Sequence, residues 1–372
     1  MAREGSQRMP YRVGQWATGN VGGQALRAVI EHPDLELAGV VVSDPAKAGR
    51  DAADLCGVPA PTGILATTDP EEVIAARPDA ICYTAVGTAG RREVATGTRP
   101  TGAVDDLCRI LAAGIDVVST SIIPMVHPPS ADPETVQRLR DACATGRSSI
   151  LTSGLDPGIM NDVLPLALSS ICLRIESIRV SEVMNYGTWD KPEAILGKFG
   201  FGKPLDHRPP MVMPGVLTVM WGTVVHLLAD RLGVVLDAIE EHYELFPAPE
   251  TFVIPAGTIE KGTSAAMRFE VRGMLAGRPA IVAEHVTRLR DDLAPHWPAP
   301  PGGGGGGYRV QIEGEPSWTM EITNPGVADP TVPGTLATAL RVVNAIPAVC
   351  EAEPGVLTPF DLPMLTGRHL LR

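Results

Sequence analysis

The segment at residues 11–44 constrains the chain more than any other. A short apolar run at 12–15 leads into Trp16-Ala17-Thr18-Gly19-Asn20-Val21-Gly22-Gly23, a helical pattern follows at 23–31, and residues 37–42 form a uniformly apolar, valine-rich run. An apolar run without polar alternation marks a strand covered on both faces, as in a parallel sheet. The alternation continues: helical patterns at 70–76, 105–113 and 132–145 each precede or follow an apolar run, at 79–85, 116–120 and 149–153. Strands alternating with helices of this length predict a doubly wound α/β sheet of the Rossmann kind.

Beyond residue 153 the pattern changes. Residues 177–183 (SIRVSEV) alternate apolar and polar, as a half-exposed strand does, and 264–271, 280–289 and 308–312 do so less strictly. These predict an α+β domain with an open, largely antiparallel sheet, packed on one side by helices at 215–230 and 234–241. The run APPGGGGGG at 299–307 reads as a flexible hairpin connector, since it lacks the Lys-Ser/Thr of a phosphate-binding P-loop. At 372 residues two domains are expected. The organisation predicted is a dinucleotide-binding domain at 9–153, a substrate-binding and dimerisation domain at 154–333, and a C-terminal helix and tail at 334–372.

A dinucleotide site needs a sharp turn after the first strand, a bare backbone where the pyrophosphate comes close, and a helix N-terminus aimed at it. Gly19 and Gly22 meet the last two needs, with the amides of Asn20 and Val21 facing phosphate and Trp16 and Thr18 completing the turn. The first glycine of the usual fingerprint is absent: Ala17 stands there in one spacing and Trp16 in the looser one. At the end of the second strand Ser43 and Lys47, with Arg50, favour the 2′-phosphate of NADP, while Asp44 leaves NAD open. Loops covering the nicotinamide are expected at Thr84-Ala85-Val86-Gly87-Thr88 and Ser119-Thr120-Ser121.

Composition removes other classes. A formal net charge of -12 argues against a nucleic-acid groove. The six cysteines show no C-x-x-C spacing and read as buried free thiols in a reducing cytosol, with no zinc pattern and no metal expected. The start, MAREGSQRMPYR, has no apolar h-region. The most apolar segment, 215–229, is shorter than the roughly 18–20 residues that span a bilayer, and reads as a buried helix. A cytoplasmic protein without a membrane partner is expected.

Several strings resemble one family. QWATGNVG at 15–22, GLDPGIMND at 154–162, NYGTWDKPE at 185–193, FGFGKPLD at 199–206 and NAIPAV at 344–349 are similar to the dihydrodipicolinate reductase-like oxidoreductases. The branch resembled holds 2,4-diaminopentanoate dehydrogenase and the native amine dehydrogenases, in their actinobacterial members. The resemblance implies a Rossmann domain, an α/β substrate and dimerisation domain, and a C-terminal helix returning to the first domain. It implies hydride transfer between NAD(P)H and a C=N or C=O carbon, and a homodimer. It also marks a departure. In the amine dehydrogenases a glutamate follows the fifth strand and handles the amine proton; here the run is Ser119-Thr120-Ser121-Ile122-Ile123-Pro124, and the position falls on Ile122, or on Ile123 if the alignment slips. Isoleucine moves no proton. Either another group does that work or the chemistry differs from reductive amination.

Three side chains are candidates for the proton. His127 follows the same strand and has an ordinary pKa of about 6.5; Asp156 precedes Pro157-Gly158; Tyr186 follows a strand of the second sheet. Each has a plain structural alternative as a loop histidine, a turn carboxylate or a packed phenol. Asp162 reads as a helix cap, and Lys198 and Lys203 as surface lysines. Ile122, Asn185 and Trp189 are expected around the substrate, and Asn344 joins them on the resemblance alone. The leading reading is an NAD(P)H-dependent oxidoreductase acting on an imine, carbonyl or amine carbon of a small, partly apolar substrate. The alternative is a catalytically silent NAD(P)-binding sensor or scaffold, supported by the missing glutamate. A dihydrodipicolinate reductase of lysine synthesis fits poorly, because the His-His/Lys run such enzymes use is absent.

Overall fold

The structure, a computed structural model, describes residues 9–86, 102–327 and 329–371. It divides into two units, Met1–Gly154 with Thr335–Arg372, and Leu155–Gly334.

In chain order the first unit contains β1 (Tyr11–Trp16), α1 (Asn20–Glu31), β2 (Leu35–Val41), α2 (Ala52–Cys56), β3 (Ala66–Thr67), α3 (Pro70–Ala75), β4 (Ala80–Tyr83), α4 (Gly102–Ala112), β5 (Asp116–Ser119), α5 (Pro133–Gly146) and β6 (Ser149–Thr152). The second contains α6 (Val163–Ser169), β7 (Arg174–Asn185), α7 (Val216–Met220), α8 (Gly222–Arg231), β8 (Ala238–Pro247), β9 (Phe252–Ile254), β10 (Gly257–Ile259), β11 (Ser264–Leu275), β12 (Arg278–Arg288), β13 (Gly306–Glu315) and β14 (Trp318–Thr323). The chain then runs through α9 (Thr331–Val343), α10 (Ile346–Cys350) and β15 (Gly355–Leu357).

The first sheet has the order β15-β6-β5-β4-β1-β2-β3 and is parallel throughout. Its central strands carry the uniformly apolar runs because both faces are covered: all four residues of β4 are buried. The C-terminal segment completes this unit. Val342, Val343, Ile346 and Val349 share a core with Val13, Cys82, Val118 and Leu151, and β15 pairs with β6. The stretch Thr331–Cys350 is long and apolar enough to cross a membrane by length and composition, yet its inward side is this core.

The second sheet has the order β14-β13-β7-β12-β11-β8; β7 and β12 are parallel and the other pairs antiparallel. Trp221, Val224, Val225 and Leu228 of the α7–α8 region pack with Phe269 and Val271 of β11. Two expectations are corrected here. Residues expected as a helix at 234–241 feed β8 instead, where Ile239, Glu241, Tyr243 and Leu245 alternate with exposed neighbours; period-2 burial overrides the helical reading. The glycine run is not a hairpin connector. β12 and β13 lie on opposite sides of β7, so the connection crosses over that strand. Its last glycine is required by packing: a Cβ on Gly307 would stand 2.6 Å from the backbone oxygen of Ile322.

Candidate functional site

In the first unit the turn after β1 takes the shape the fingerprint needs without its first glycine. Ala17 adopts the left-handed conformation, φ +74°. A Cβ on Gly22 would lie 2.3 Å from Ala17 O and 2.6 Å from Thr84 Oγ1, so only glycine allows this close approach. Buried Gln15 pins the turn, its Nε2 donating to Ala17 O at 2.9 Å and to Thr84 Oγ1 at 3.0 Å, while Thr84 Oγ1 donates to Trp16 O at 2.9 Å. Gly19 is the N-cap of α1; no side chain caps the helix, no acidic residue occupies its first turn, and the space where a Cβ would stand is open. Lys47 Nζ donates to Thr18 O at 3.0 Å and Thr18 Oγ1 at 3.2 Å. An open helix N-terminus, bare glycines and a nearby cation fit a dinucleotide diphosphate.

The remaining first-unit residues singled out above have more local surroundings. The Trp16 ring is buried against Tyr83, with centroids 5.5 Å apart, so this residue offers its backbone and not its ring. Asn20 is exposed and Val21 half-buried. Ser43 is exposed, and Asp44 accepts from Ala46 N at 2.9 Å, capping the turn Pro45–Lys47. Ser119 Oγ donates to Tyr83 O at 3.1 Å and accepts from Ser121 N at 2.9 Å. Thr120 N donates to Tyr83 O at 3.3 Å, and Ser121 Oγ donates to Ala85 O. Val86 is exposed; Gly87 and Thr88 lie outside the described residues. His127 is buried with Nδ1 2.9 Å from Ser130 Oγ. Asn344 is half-buried between α9 and α10. Ile122 is 1% exposed, at φ +53°, in the core cluster of Trp16, Tyr83 and Met125. The expectation of Ile122 as a lining residue is therefore corrected: its side chain is core.

The second unit assembles a buried polar cluster. Strand register sets Phe269 of β11, His285 of β12, Glu182 of β7 and Tyr308 of β13 side by side in one row. Asp156 joins them from the segment before α6. His285 Nε2 lies 3.3 Å from Asp156 Oδ1 and Nδ1 lies 3.4 Å from Glu182 Oε1. Tyr186 OH donates to Glu182 Oε1 at 2.9 Å. Trp221 Nε1 and Asn161 Nδ2 donate to Asp156 Oδ1 at 2.9 and 2.7 Å. The side chains of His285, Asp156 and Glu182 are only 7%, 5% and 10% exposed. The imidazole stacks on Phe269 at 4.7 Å and meets Trp221 edge-on at 4.5 Å.

Charge settles how the cluster holds its protons. Burial works to lower the His285 pKa, but Asp156 and Glu182 together outweigh it and push it up to about 10. The histidine is thus an imidazolium at neutral pH, set between two acidic side chains. Burial, then Glu182, raises the Tyr186 phenol well above its ordinary value; burial, Glu182 and Asp156 do the same for Tyr308. Both phenols stay neutral donors. Asp156, Glu182 and His285 are also residue types that bind metals, with ligand atoms within 4.8 Å of one another. Here Asp156 Oδ1 already faces three nitrogens, of Asn161, Trp221 and His285, which leaves that oxygen no lone pair for a metal ion.

The structure therefore brings Asp156 and Tyr186 into one cluster and places His127 in the other unit. Trp189 backs Tyr186 edge-on at 5.1 Å. Asn185 closes its own turn, accepting from Gly187 N and donating to Asp291 Oδ1, both at 2.8 Å. Lys198 and Lys203 are exposed. Asp162 caps α6 through Val163 N. Sequence reasoning missed Glu182, His285, Tyr308, Trp221 and Asn161. A signal existed for two of them: Glu182 shares the inward face of β7 with Ile178 and Val180, and His285 that of β12 with Ile281 and Ala283, so each is a charged residue at an apolar phase. On the other face of the sheet, buried Glu270 and Glu284 are bound by Arg179, Arg268 and Arg272. That network is internally paired and structural.

Residues 159–369 match the family described as the 2,4-diaminopentanoate dehydrogenase C-terminal domain. Over 353 residues the chain is 42% identical to an amine dehydrogenase of Streptomyces virginiae, covering 94% of this chain and 95% of that one. Over 268 residues it is 26% identical to the 2,4-diaminopentanoate dehydrogenase of Acetoanaerobium sticklandii, covering 70% of each. The solved structure of an amine dehydrogenase from Mycobacterium smegmatis shares the fold, with a TM-score of 0.75 at 21% identity over 96% of this chain and 97% of that one. None of these relatives supports the reading as a silent sensor. The chain belongs to the 2,4-diaminopentanoate dehydrogenase family of oxidoreductases.

Proposed function

We propose that the protein is an NADP-dependent amine dehydrogenase in which Asp156, held by His285, does the proton work that the resemblance assigns to a glutamate at the position of Ile122. The observation that carries this reading is the asymmetry of one carboxylate. Asp156 Oδ1 takes N–H groups from Asn161, Trp221 and His285, whereas Oδ2 has no hydrogen-bond partner among the described residues. The 42% identity to an amine dehydrogenase supports the amine as the reacting group. Lys47 beside Thr18, and an Asp44 turned to Ala46 N, support NADP over NAD. A small-molecule substrate, a homodimer and a cytoplasmic location complete the proposal.

When bound, the nicotinamide accepts a hydride from the amine-bearing carbon or returns one to it. The chain's own groups do the rest. Asp156 Oδ2 takes a proton from the substrate ammonium, freeing the nitrogen lone pair to expel the hydride; in the reverse direction it returns that proton. The His285 imidazolium faces Asp156, and Glu182 with Tyr186 holds the imidazolium. Two acidic side chains around one imidazolium favour an ammonium and disfavour a substrate carboxylate. Phe269, Trp221, Tyr186 and Trp189 give the surroundings an aromatic character that suits a small, partly apolar amine. The test is turnover of NADP⁺ over a panel of alkyl and arylalkyl amines, and of NADPH with ketones and ammonia. Asp156→Asn is expected to lower kcat by about 100-fold or more while NADP⁺ still raises the melting temperature. Wild-type turnover in that variant would sink the proposal.

A further inference from the structure

We propose that Asn161 and Trp221 are positioning residues that hold the Asp156 carboxylate in one orientation, with one oxygen bound and the other turned free for the reaction; this rests on the reading of Asp156 just given. The two oxygens of a carboxylate are chemically equivalent, and rotation about the terminal side-chain bond exchanges them. What makes them different is the donors around them. Asn161 Nδ2, Trp221 Nε1 and His285 Nε2 all converge on Oδ1, at 2.7, 2.9 and 3.3 Å. A carboxylate oxygen offers about two lone-pair sites, so three N–H groups leave it no free capacity. Every remaining lone pair with basic character is on Oδ2.

Both clamping groups are themselves fixed. Asn161 is 2% exposed, and its own Oδ1 accepts from Gly158 N at 2.9 Å, so a flip of its amide would set oxygen against carboxylate and NH₂ against N–H. Trp221 is buried where α7 meets α8, with its indole 4.7 Å from Phe269 and 4.5 Å from His285. Its N–H direction is set by packing, so it does not follow the carboxylate when the carboxylate turns. His285 alone would not discriminate as well: its contact is the longest of the three, and it also faces Glu182. The segment from Asp156 to Asn161 and the start of α8 thereby act as a two-point clamp on one atom.

Trp221→Phe removes the N–H and keeps an aromatic ring in place. It is expected to lower kcat about tenfold, the effect of one charge-assisted hydrogen bond, with the KM for the amine changed less than twofold and the NADP⁺ thermal shift unchanged. Because the clamp acts through Asp156, the same substitution in an Asp156→Asn background should change kcat less than twofold. Equal losses in both backgrounds would show a merely structural role and overturn the proposal, as would an undiminished kcat in the single variant. Should Trp221→Phe fail to fold, Asn161→Leu is read by the same cycle and the same outcomes. Wild-type turnover of Asp156→Asn alone would instead overturn the proposed function, so the two failures are distinguishable.

Discussion

His285→Gln removes the positive charge between Asp156 and Glu182 while keeping a planar polar side chain. The folded histidine has a pKa of about 10 against an ordinary 6.5. Its side chain is 7% exposed, so solvent does little to screen the coupling. Each pH unit of difference corresponds to about 1.4 kcal/mol. The interval from 6.5 to about 10 therefore sets a ceiling on the order of 5 kcal/mol, and roughly 3–5 kcal/mol is the usual cost of breaking a buried pair. A pKa raised on folding gives stability that is fully present below pH 6.5 and lost as the pH rises towards 10. At pH 6.5 the glutamine variant should be less stable by roughly 3–5 kcal/mol, and the gap should close as the pH approaches 10. Urea unfolding of both proteins, followed by circular dichroism in half-unit steps from pH 6 to 10, measures this. Histidine NMR of the wild type should show one imidazole still protonated at pH 8. A gap that stays constant with pH would refute the reasoning, because the histidine would then contribute through its stacking on Phe269 and not through its charge.

Ala17→Gly should raise stability by up to about 1 kcal/mol, since the left-handed conformation costs a non-glycine residue roughly 1–2 kcal/mol and glycine's extra freedom in the unfolded chain returns part of it; a lower melting temperature with NADP⁺ bound would contradict this. Ile122→Glu should lower stability by several kcal/mol, as expected for a carboxyl placed in an apolar core, and should leave turnover with ammonia no higher than wild type. A gain in ammonia-dependent NADPH oxidation would reverse that expectation.

The first unit was legible because its signals are local. The valine-rich run of β2 and the glycines before α1 report their own burial and their own backbone, and neither depends on distant residues. The second unit was less legible, for a related reason. Residues 238–247 carry three glutamates, a histidine and a tyrosine, and the pattern alone does not say which face is covered; pairing with β11 settles it. Connection across β7 likewise depends on strand order, which no local string encodes. The cluster around Asp156 was half legible. Asp156 and Tyr186 sit in short distinctive strings, whereas Glu182, His285 and Tyr308 are ordinary strand residues until register places them in one row.

The isoleucine in place of a glutamate looked like an argument for a silent protein. The structure weakens that argument on two grounds. Ile122 is a β-branched residue in the left-handed region, an unfavourable conformation that persists only where packing over-determines it, and its side chain is 1% exposed within the first-unit core. The position is thus committed to packing, and its residue type says little about whether a proton is handled elsewhere. Meanwhile the second unit keeps two carboxylates and an imidazolium almost wholly buried, an arrangement that costs several kcal/mol to desolvate and that apolar side chains of similar size would avoid. Buried charge of that kind, with one carboxylate oxygen left unpartnered among the described residues, is what a proton-handling site requires. The Glu270–Glu284 network on the other face of the sheet differs in that three arginines meet its two carboxylates.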